Sequence, residues 1–474
     1  MNPSRRDLLR WSIGLGAVAA ASGCAQTARR YTGVHRDVIL SLPADTSPRE
    51  VRIAKRLSFG PRPAEVERIR EIGQAAYVDE LLQADRSEPA HLTLALNRLD
   101  AMRMHSRDLR DLVPHDQVRR QLQQAVLLSA VYGANPLLER MVDFWTDHFN
   151  LYGRKDGSEY RISRDYLTVV RAHALGSFPS MLQAGAKSPA MLAYLDNHRN
   201  VKGVPNENYA RELMELHTLG VDGGYTQRDV QEVARCFTGW SVENRFLRPA
   251  DTFVFHAAQH DDGEKIVLGH RIPPGGGQRD GERVLEILAQ HPSTARFLAT
   301  KLCRYFLGQP DQTVVEASSE AYLASDGDLK ATLRPILTGE TLASGPPIAQ
   351  RPLDFVVASL RGLQANFDGA GPILDRLDGM GNLPYEWPMP DGYPTETEAW
   401  TGSLLGRWNF ATALVEGRIP GVEIEWERWN ERTLRDNLLI PADADPLAIL
   451  EGADRTDLKL TAALLISSPQ FQWR

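Results

Sequence analysis

Apolar and polar positions alternate along most of this chain at three- and four-residue spacing, the period of an amphipathic helix. The stretch 292–308 shows it well: Phe297, Leu298, Leu302, Tyr305 and Phe306 recur on one face behind Pro292. Pro63, followed by Glu65 and Glu67, opens another helix, because Pro fits a first turn and acidic side chains suit its positive end. Further helices are predicted over about 116–132, 137–149, 163–175, 207–219, 227–238, 281–289, 328–337, 350–363, 400–415 and 454–467. The strand period of two is scarce. It appears at 252–256, which is expected to pair with 265–268 as a hairpin. No linker interrupts 50–474, and no repeat period suggests a solenoid. The pattern predicts an all-α fold: one large, mostly helical domain over 31–474, with at most a small β-hairpin. Two long Gly/Pro-rich loops, 241–280 and 366–398, have the length of functional loops.

The densest departure from simple amphipathicity is 206–240. Asn206 can cap a helix whose stripe is Tyr209, Leu213, Leu216 and Leu219. Glu212 and Glu215 share another face, and Arg211 can reach Glu207 or Glu215. Gly220 stops the helix, Asp222-Gly223-Gly224 turns, and Thr226 caps the next helix with Asp229 three residues on. Two readings of this hairpin stay open. Its carboxylates pair with Arg211, Arg228, Arg235 and backbone amides as scaffold, or Glu212, Glu215 and His217 belong to a polar pocket. His217 lies two residues from Glu215, so a straight helix points the two apart and distant segments must complete any site.

Those segments are Asp147-His148 and His260-Asp261-Asp262. As acid–base groups the candidates are Glu212, His148, Glu215 and His217, since a carboxylate fixes and strengthens a neighbouring imidazole base. As ligands of a divalent metal they are His148, Glu212, His260 and Asp261, a mixed oxygen–imidazole set. Stronger templates are missing from the sequence. There is no HExxH, no EF-hand loop and no GxSxG elbow, and the 273–281 glycine run lacks a Lys-Ser/Thr ending. The stretch 380–394 holds Trp387 and Tyr393, which either stack on a sugar or peptide or plug the end of the domain.

Composition changes the picture mainly at the N-terminus. Ser4-Arg5-Arg6-Asp7-Leu8-Leu9 carries the paired arginines of a twin-arginine export signal, and the apolar run from Trp11 to Ala21 is too short to span a bilayer. Residues 1–30 therefore read as a signal peptide and a mature N-terminal tether, and the expected location is the periplasm or cell envelope. Ala21-Ser22-Gly23-Cys24 resembles a lipoprotein site, to be set against simple cleavage a few residues later. The formal charge of -7 becomes about -9 without residues 1–23. That acidic balance disfavours nucleic acid, and it leaves a lipid at Cys24 as the expected membrane contact. Cys236 and Cys303 then remain, as one disulfide or as two buried thiols.

These residues also carry a likeness. The chain resembles the bacterial family known as domain of unknown function 1800 (DUF1800). The resemblance runs through Arg56-Leu57-Ser58-Phe59-Gly60-Pro61, Phe144-Trp145-Thr146-Asp147-His148-Phe149, the whole of 206–240, His260-Asp261, Gly269, Asp280-Gly281, 291–302 and Ser468-Pro469-Gln470-Phe471. It covers roughly 50–474. One departure is Tyr385-Glu386-Trp387-Pro388, where the family has a Gly-Trp pair. The resemblance supplies no activity. It implies an exported protein, and a sulfatase-like exported partner. The expectation is processing of an envelope or extracellular substrate at a His/Glu polar or metal site. The alternative is a non-catalytic accessory or binding protein for that partner.

Overall fold

The computed structural model describes residues 47–84, 87–155, 158–244, 250–367, 369–441 and 457–474. The segment expected to be an export signal and Cys24 lie outside the described residues. The fold is mostly helical. Among the described residues, nine helices build most of the cores and the site: α1 (His115–Tyr132), α2 (Pro136–His148), α3 (Glu159–Asp165), α4 (Glu207–Glu212), α5 (Gln227–Cys236), α6 (Gln278–Ala289), α7 (Pro292–Leu307), α8 (Pro352–Gly362) and α9 (Leu404–Val415). Their starts follow capping chemistry. Asn135 accepts from Leu137 N and Leu138 N at 3.1 Å each, Asn206 accepts from Asn208 N at 2.9 Å, and Thr226 forms the capping box with Asp229.

Two predicted helices are not straight. After α3 and after α4 the chain widens into π-helical turns, Tyr166–Arg171 and Leu213–Thr218. In the second, Leu219 N bonds Met214 O at 2.8 Å and Thr218 Oγ1 bonds Leu213 O at 2.7 Å. The extra residue per turn puts His217 in the core beside Leu213 and Met214, while Leu216 stays half-buried. π-turns of this kind recur at functional sites.

The strands form three antiparallel two-stranded ribbons: β1 (Trp240–Val242) with β2 (Phe253–Phe255), β3 (Lys265–Val267) with β4 (His270–Ile272), and β5 (Asn366–Phe367) with β6 (Val422–Glu423). The predicted pairing of 252–256 with 265–268 is therefore corrected. Leu268 and Gly269 take φ of 48° and 78°, which closes a two-residue turn and gives β3 its partner immediately downstream. β2 instead folds back on β1.

Two large apolar cores result, beside a small cluster of Ala101, Leu109, Val113 and Val118. One gathers α2, both π-turns, α5, α6 and α7. The other gathers α1, α8, α9 and the C-terminal helices. Cys236 and Cys303 are free, buried thiols of the first core, and burial pushes Cys303 up to about 12. No helix among the described residues is long and apolar enough to cross a membrane.

Candidate functional site

Charged side chains collect in three places. The first joins the two cores. On α2, Arg140, Asp143 and Asp147 recur at three- and four-residue spacing and so share one face. Arg140 pairs with Asp354 of α8, and the two side chains are 1% and 0% exposed. Arg140 also donates to Ser58 O at 2.9 Å and lies over the Phe59 ring at 4.2 Å, which explains what the 56–61 segment does. Arg351, at the start of α8, grips both Asp143 and Asp147. The Tyr305 hydroxyl of α7 lies 2.7 Å from Asp143 Oδ2. Burial alone would push Asp354 up, but Arg140, Arg474 and Arg351 hold it well below the usual carboxylate range. For Asp147 burial outweighs Arg351 and, with Asp143 adding repulsion, pushes the carboxyl up to about 7.

The second cluster is the His260 loop. His260 Nδ1 lies 2.8 Å from Thr238 O and Nε2 lies 3.1 Å from Asp280 Oδ2 of α6. Lys265 Nζ reaches the same Asp280 oxygen at 2.5 Å. Asp261 is taken by Arg235 through two bonds of 2.8 and 3.1 Å, and those bonds pull its carboxyl down to about 2. Every partner in this cluster is local to α5, α6 and the first two ribbons. The joint ligand set of His148, Glu212, His260 and Asp261 is therefore not assembled. Asp261 and His260 are already committed elsewhere, and no group of three or more His, Cys, Asp and Glu side chains converges to hold a metal among the described residues.

The third cluster lies at the C-terminal end of α2, where the second π-turn and α7 meet it. His148 is 1% exposed and His217 2%, with ring centroids 6.1 Å apart. His148 Nε2 is 3.1 Å from His217 O; a carbonyl only accepts, so Nε2 carries the proton and Nδ1 is a bare acceptor. That Nδ1 has no partner. Phe144, Trp145, Phe149, Phe178 and Phe297 surround the ring. Burial, then the nearby Lys301 charge, lowers both imidazoles, His217 to about 3. The pair is a neutral floor, closed to a substrate.

Above that floor the polar groups face outward. Glu212 and Glu215 are half-buried, and neither side chain makes a hydrogen bond or ion pair with another described residue. Burial, then the like charge of Glu215, raises Glu212 despite Arg211, whose guanidinium is 3.1 Å from Glu207 instead. Lys301 of α7 is half-buried against the Phe297 ring at 5.5 Å, again with no ion pair among the described residues. Burial lowers its ammonium to about 8 although Asp147 and Asp391 oppose the shift. Asp391 stands within electrostatic reach of both Lys301 and Glu212.

Asp391 arrives on the aromatic 380–394 segment, which is docked over the end of α2. Asn150 Nδ2 donates to Trp387 O at 3.0 Å and Met389 O at 2.6 Å, and Tyr194 Oη donates to Pro388 O at 3.2 Å. Gly392, at φ +79°, passes so close to α2 that a Cβ there would lie 2.3 Å from Asp147 O. Trp387 Nε1 donates to Asp391 Oδ1 at 3.0 Å and fixes the carboxylate. The structure thus brings Glu212 and Glu215 together on one face, places His148 and His217 beneath it, and puts His260 and Asp261 in another cluster. Lys301 and Asp391 were not among the predicted groups. A lysine at i+4 from Phe297 on an otherwise apolar stripe was the available signal for the first. Asp391 left none, because only the docking of its loop brings it here.

A family model described as "Protein of unknown function (DUF1800)" matches residues 52–473. No curated protein and no solved structure matches the chain.

Proposed function

We propose that this chain, which belongs to the DUF1800 family, is an exported protein that processes an envelope or extracellular substrate by proton transfer on the face of Glu212, Glu215, Asp391 and Lys301. The observation that carries this reading is that Glu212 and Glu215 lie half-buried beside each other, that Asp391 is within electrostatic reach of both Glu212 and Lys301, and that neither glutamate nor Lys301 closes an ion pair among the described residues. A protein gains no stability from holding such charges unpaired, and active sites are where that cost is tolerated. Glu212, raised by burial and like charge, is suited to give a proton, and Lys301 is suited to accept one or to hold developing negative charge. His148 and His217, closed off and neutral, fix the shape of the floor. No step is routed through a metal. The export part of the reading rests on the arginine pair at Arg5-Arg6.

The test is incubation of the purified protein with fractionated envelope polysaccharide, peptide and lipid, read by mass spectrometry of products. Turnover by wild type that disappears in folded Glu212→Gln and Lys301→Met variants is the expected result. Equal turnover in those variants removes the face from the chemistry.

One observation favours a second reading, a non-catalytic accessory of a sulfatase-like exported partner. Leu404, Leu405 and Trp408 of α9 are 42%, 66% and 49% exposed, a cluster of large apolar side chains turned to solvent. Binding of such a partner that is lost in Trp408→Asp, together with no turnover of any fraction, would favour it over the enzyme.

A further inference from the structure

On α9, Leu404, Leu405 and Trp408 are large apolar side chains left to solvent; no other exposed pair of that kind among the described residues lies within four positions along the chain. Helical spacing puts Thr401, Leu405 and Trp408 along one stripe, with Gly402 and Asn409 on its edge. The stripe starts in the tight turn Thr397–Ser403 that leads into α9. It carries no charge. Between Glu398 and Glu416 the sequence has a single ionisable side chain, Arg407. That side chain turns inward, donating to Ser403 Oγ at 2.9 Å, Gln472 Oε1 at 2.9 Å and Gln350 O at 2.6 Å. The chain as a whole is acidic, with a formal charge of -7. A Cβ at Gly402 would meet nothing within 4 Å. A bare notch and a protruding indole therefore share one face, less than two turns apart.

We propose that this face is a contact between two copies of the chain, α9 packing antiparallel on α9 across a two-fold axis at Leu405. In that arrangement, positions equally far on either side of residue 405 face each other. Trp408 of one protomer then meets Gly402 of its partner, and Thr401 meets Asn409. The largest side chain of the face lies on the barest position, twice, and a hydroxyl lies on an amide. A parallel pairing would set Trp408 on Trp408 and leave the two Gly402 notches unfilled. Charge selects the same occupant. Two copies of an acidic chain repel wherever their carboxylates meet, and an uncharged stripe is where they approach without that cost. A basic partner gains nothing from a stripe without carboxylates. Size sets the strength. The 12 residues of α9 and the 7 of the turn before it give a strip roughly 30 Å long. At a helix width of about 10 Å it covers far less than the roughly 800 Å² per partner of a stable interface, so the dimer is weak and concentration-dependent. The contact goes beyond the proposed chemistry and gives the α9 patch an occupant other than a sulfatase-like protein.

Sedimentation equilibrium of the purified protein under reducing conditions, at about 1–200 µM, tests this. The expected result is a monomer–dimer equilibrium whose dimer fraction rises through that range. Leu405→Asp sets two carboxylates against each other at the axis and is expected to abolish the dimer. Gly402→Trp sets indole on indole, and Trp408→Ala leaves the notch empty. Each is expected to weaken association by about tenfold or more. The double variant Gly402→Trp/Trp408→Ala exchanges protrusion and notch and is expected to restore the dimer, because only facing positions compensate. All these positions are exposed, and Gly402 has open space beside it, so circular dichroism is expected to show folded variants. A wild-type chain that stays monomeric throughout, a dimer that survives Leu405→Asp, or a double variant no better than the single ones overturns the proposal. In the first case the patch passes to a sulfatase-like partner or to lipid, which co-sedimentation with phosphatidylethanolamine vesicles tells apart. Turnover is not read in this experiment, so the dimer and the proposed chemistry fail separately.

Discussion

The Arg140–Asp354 network and the Glu212–Lys301 face use the same chemistry of carboxylates and cations, and they differ in pairing. In the first, carboxylates and arginines alternate so that each buried charge meets an opposite one, and Arg140 gives a further bond to the Ser58 carbonyl. In the second, two glutamates and a lysine stay half-buried without an ion pair among the described residues, and Lys301 alone of the three feels Asp147 of that network. Asp147 belongs to both. The contrast separates charges that hold the molecule together from charges that, on the proposed reading, are held ready for something outside it.

The sharpest way to break the comparison is to remove one member of the paired network. Arg140→Met leaves Asp354 buried with its main partner gone, and removal of one side of such a pair costs about 3–5 kcal/mol. Urea unfolding should show a loss of that size. A loss below about 1 kcal/mol would mean that the network does not join the two cores. Asp280→Asn is the next largest, at about 2 kcal/mol, because it weakens charge-assisted bonds from both Lys265 and His260. If Asp280→Asn left unfolding unchanged while destroying function, the His260 cluster would move from scaffold to site.

How much of this was legible in the sequence depends on which interactions are local. Helix starts at Asn206 and Thr226 depend on the next three residues, and so could be read directly. The family resemblance could also be read, from motifs such as 144–149 and 206–240. The π-turn at Leu213–Thr218 was not visible, since nothing in its residue types forbids an α-turn and tertiary packing decides. The same is true of the ribbon pairing, where Leu268 had to adopt a positive φ that a leucine seldom takes. The candidate site was half visible. Glu212 and Glu215 three apart announce one face. Asp391 joins them only because Asn150 and Gly392 let a loop from far along the chain dock on α2.

Acidity probes the floor beneath the unpaired face. His148 and His217 have folded-state values below their unfolded one, so the unfolded chain binds protons first as pH falls. Their contribution is complete above about pH 6.5 and is lost on acidification, down to about 3 for His217. A single such group gives about 1 kcal/mol per pH unit within that window. Asp147 has the opposite sign: its raised value makes the folded state the better proton binder, so stability falls as pH rises from about 4 to about 7. His217→Leu should flatten the acid limb of a stability–pH curve and leave the Asp147 limb in place. An unchanged acid limb would mean that the floor is open to water.

The smallest expected effect is the most discriminating. Glu212→Gln and Lys301→Met each remove a charge that has no partner among the described residues, so there is no pair to break. Half-burial makes each charge a small desolvation cost, and Glu212 also repels Glu215. The variants should therefore unfold within about 0.5 kcal/mol of wild type, with any change in the stabilising direction. Set beside the several kcal/mol expected for Arg140→Met, that near-silence is itself the signature of a site, because a residue kept for structure shows its worth in unfolding. A loss of more than about 2 kcal/mol for Glu212→Gln would show that the carboxylate has an internal partner after all, and the face would then be a second, less visible part of the scaffold.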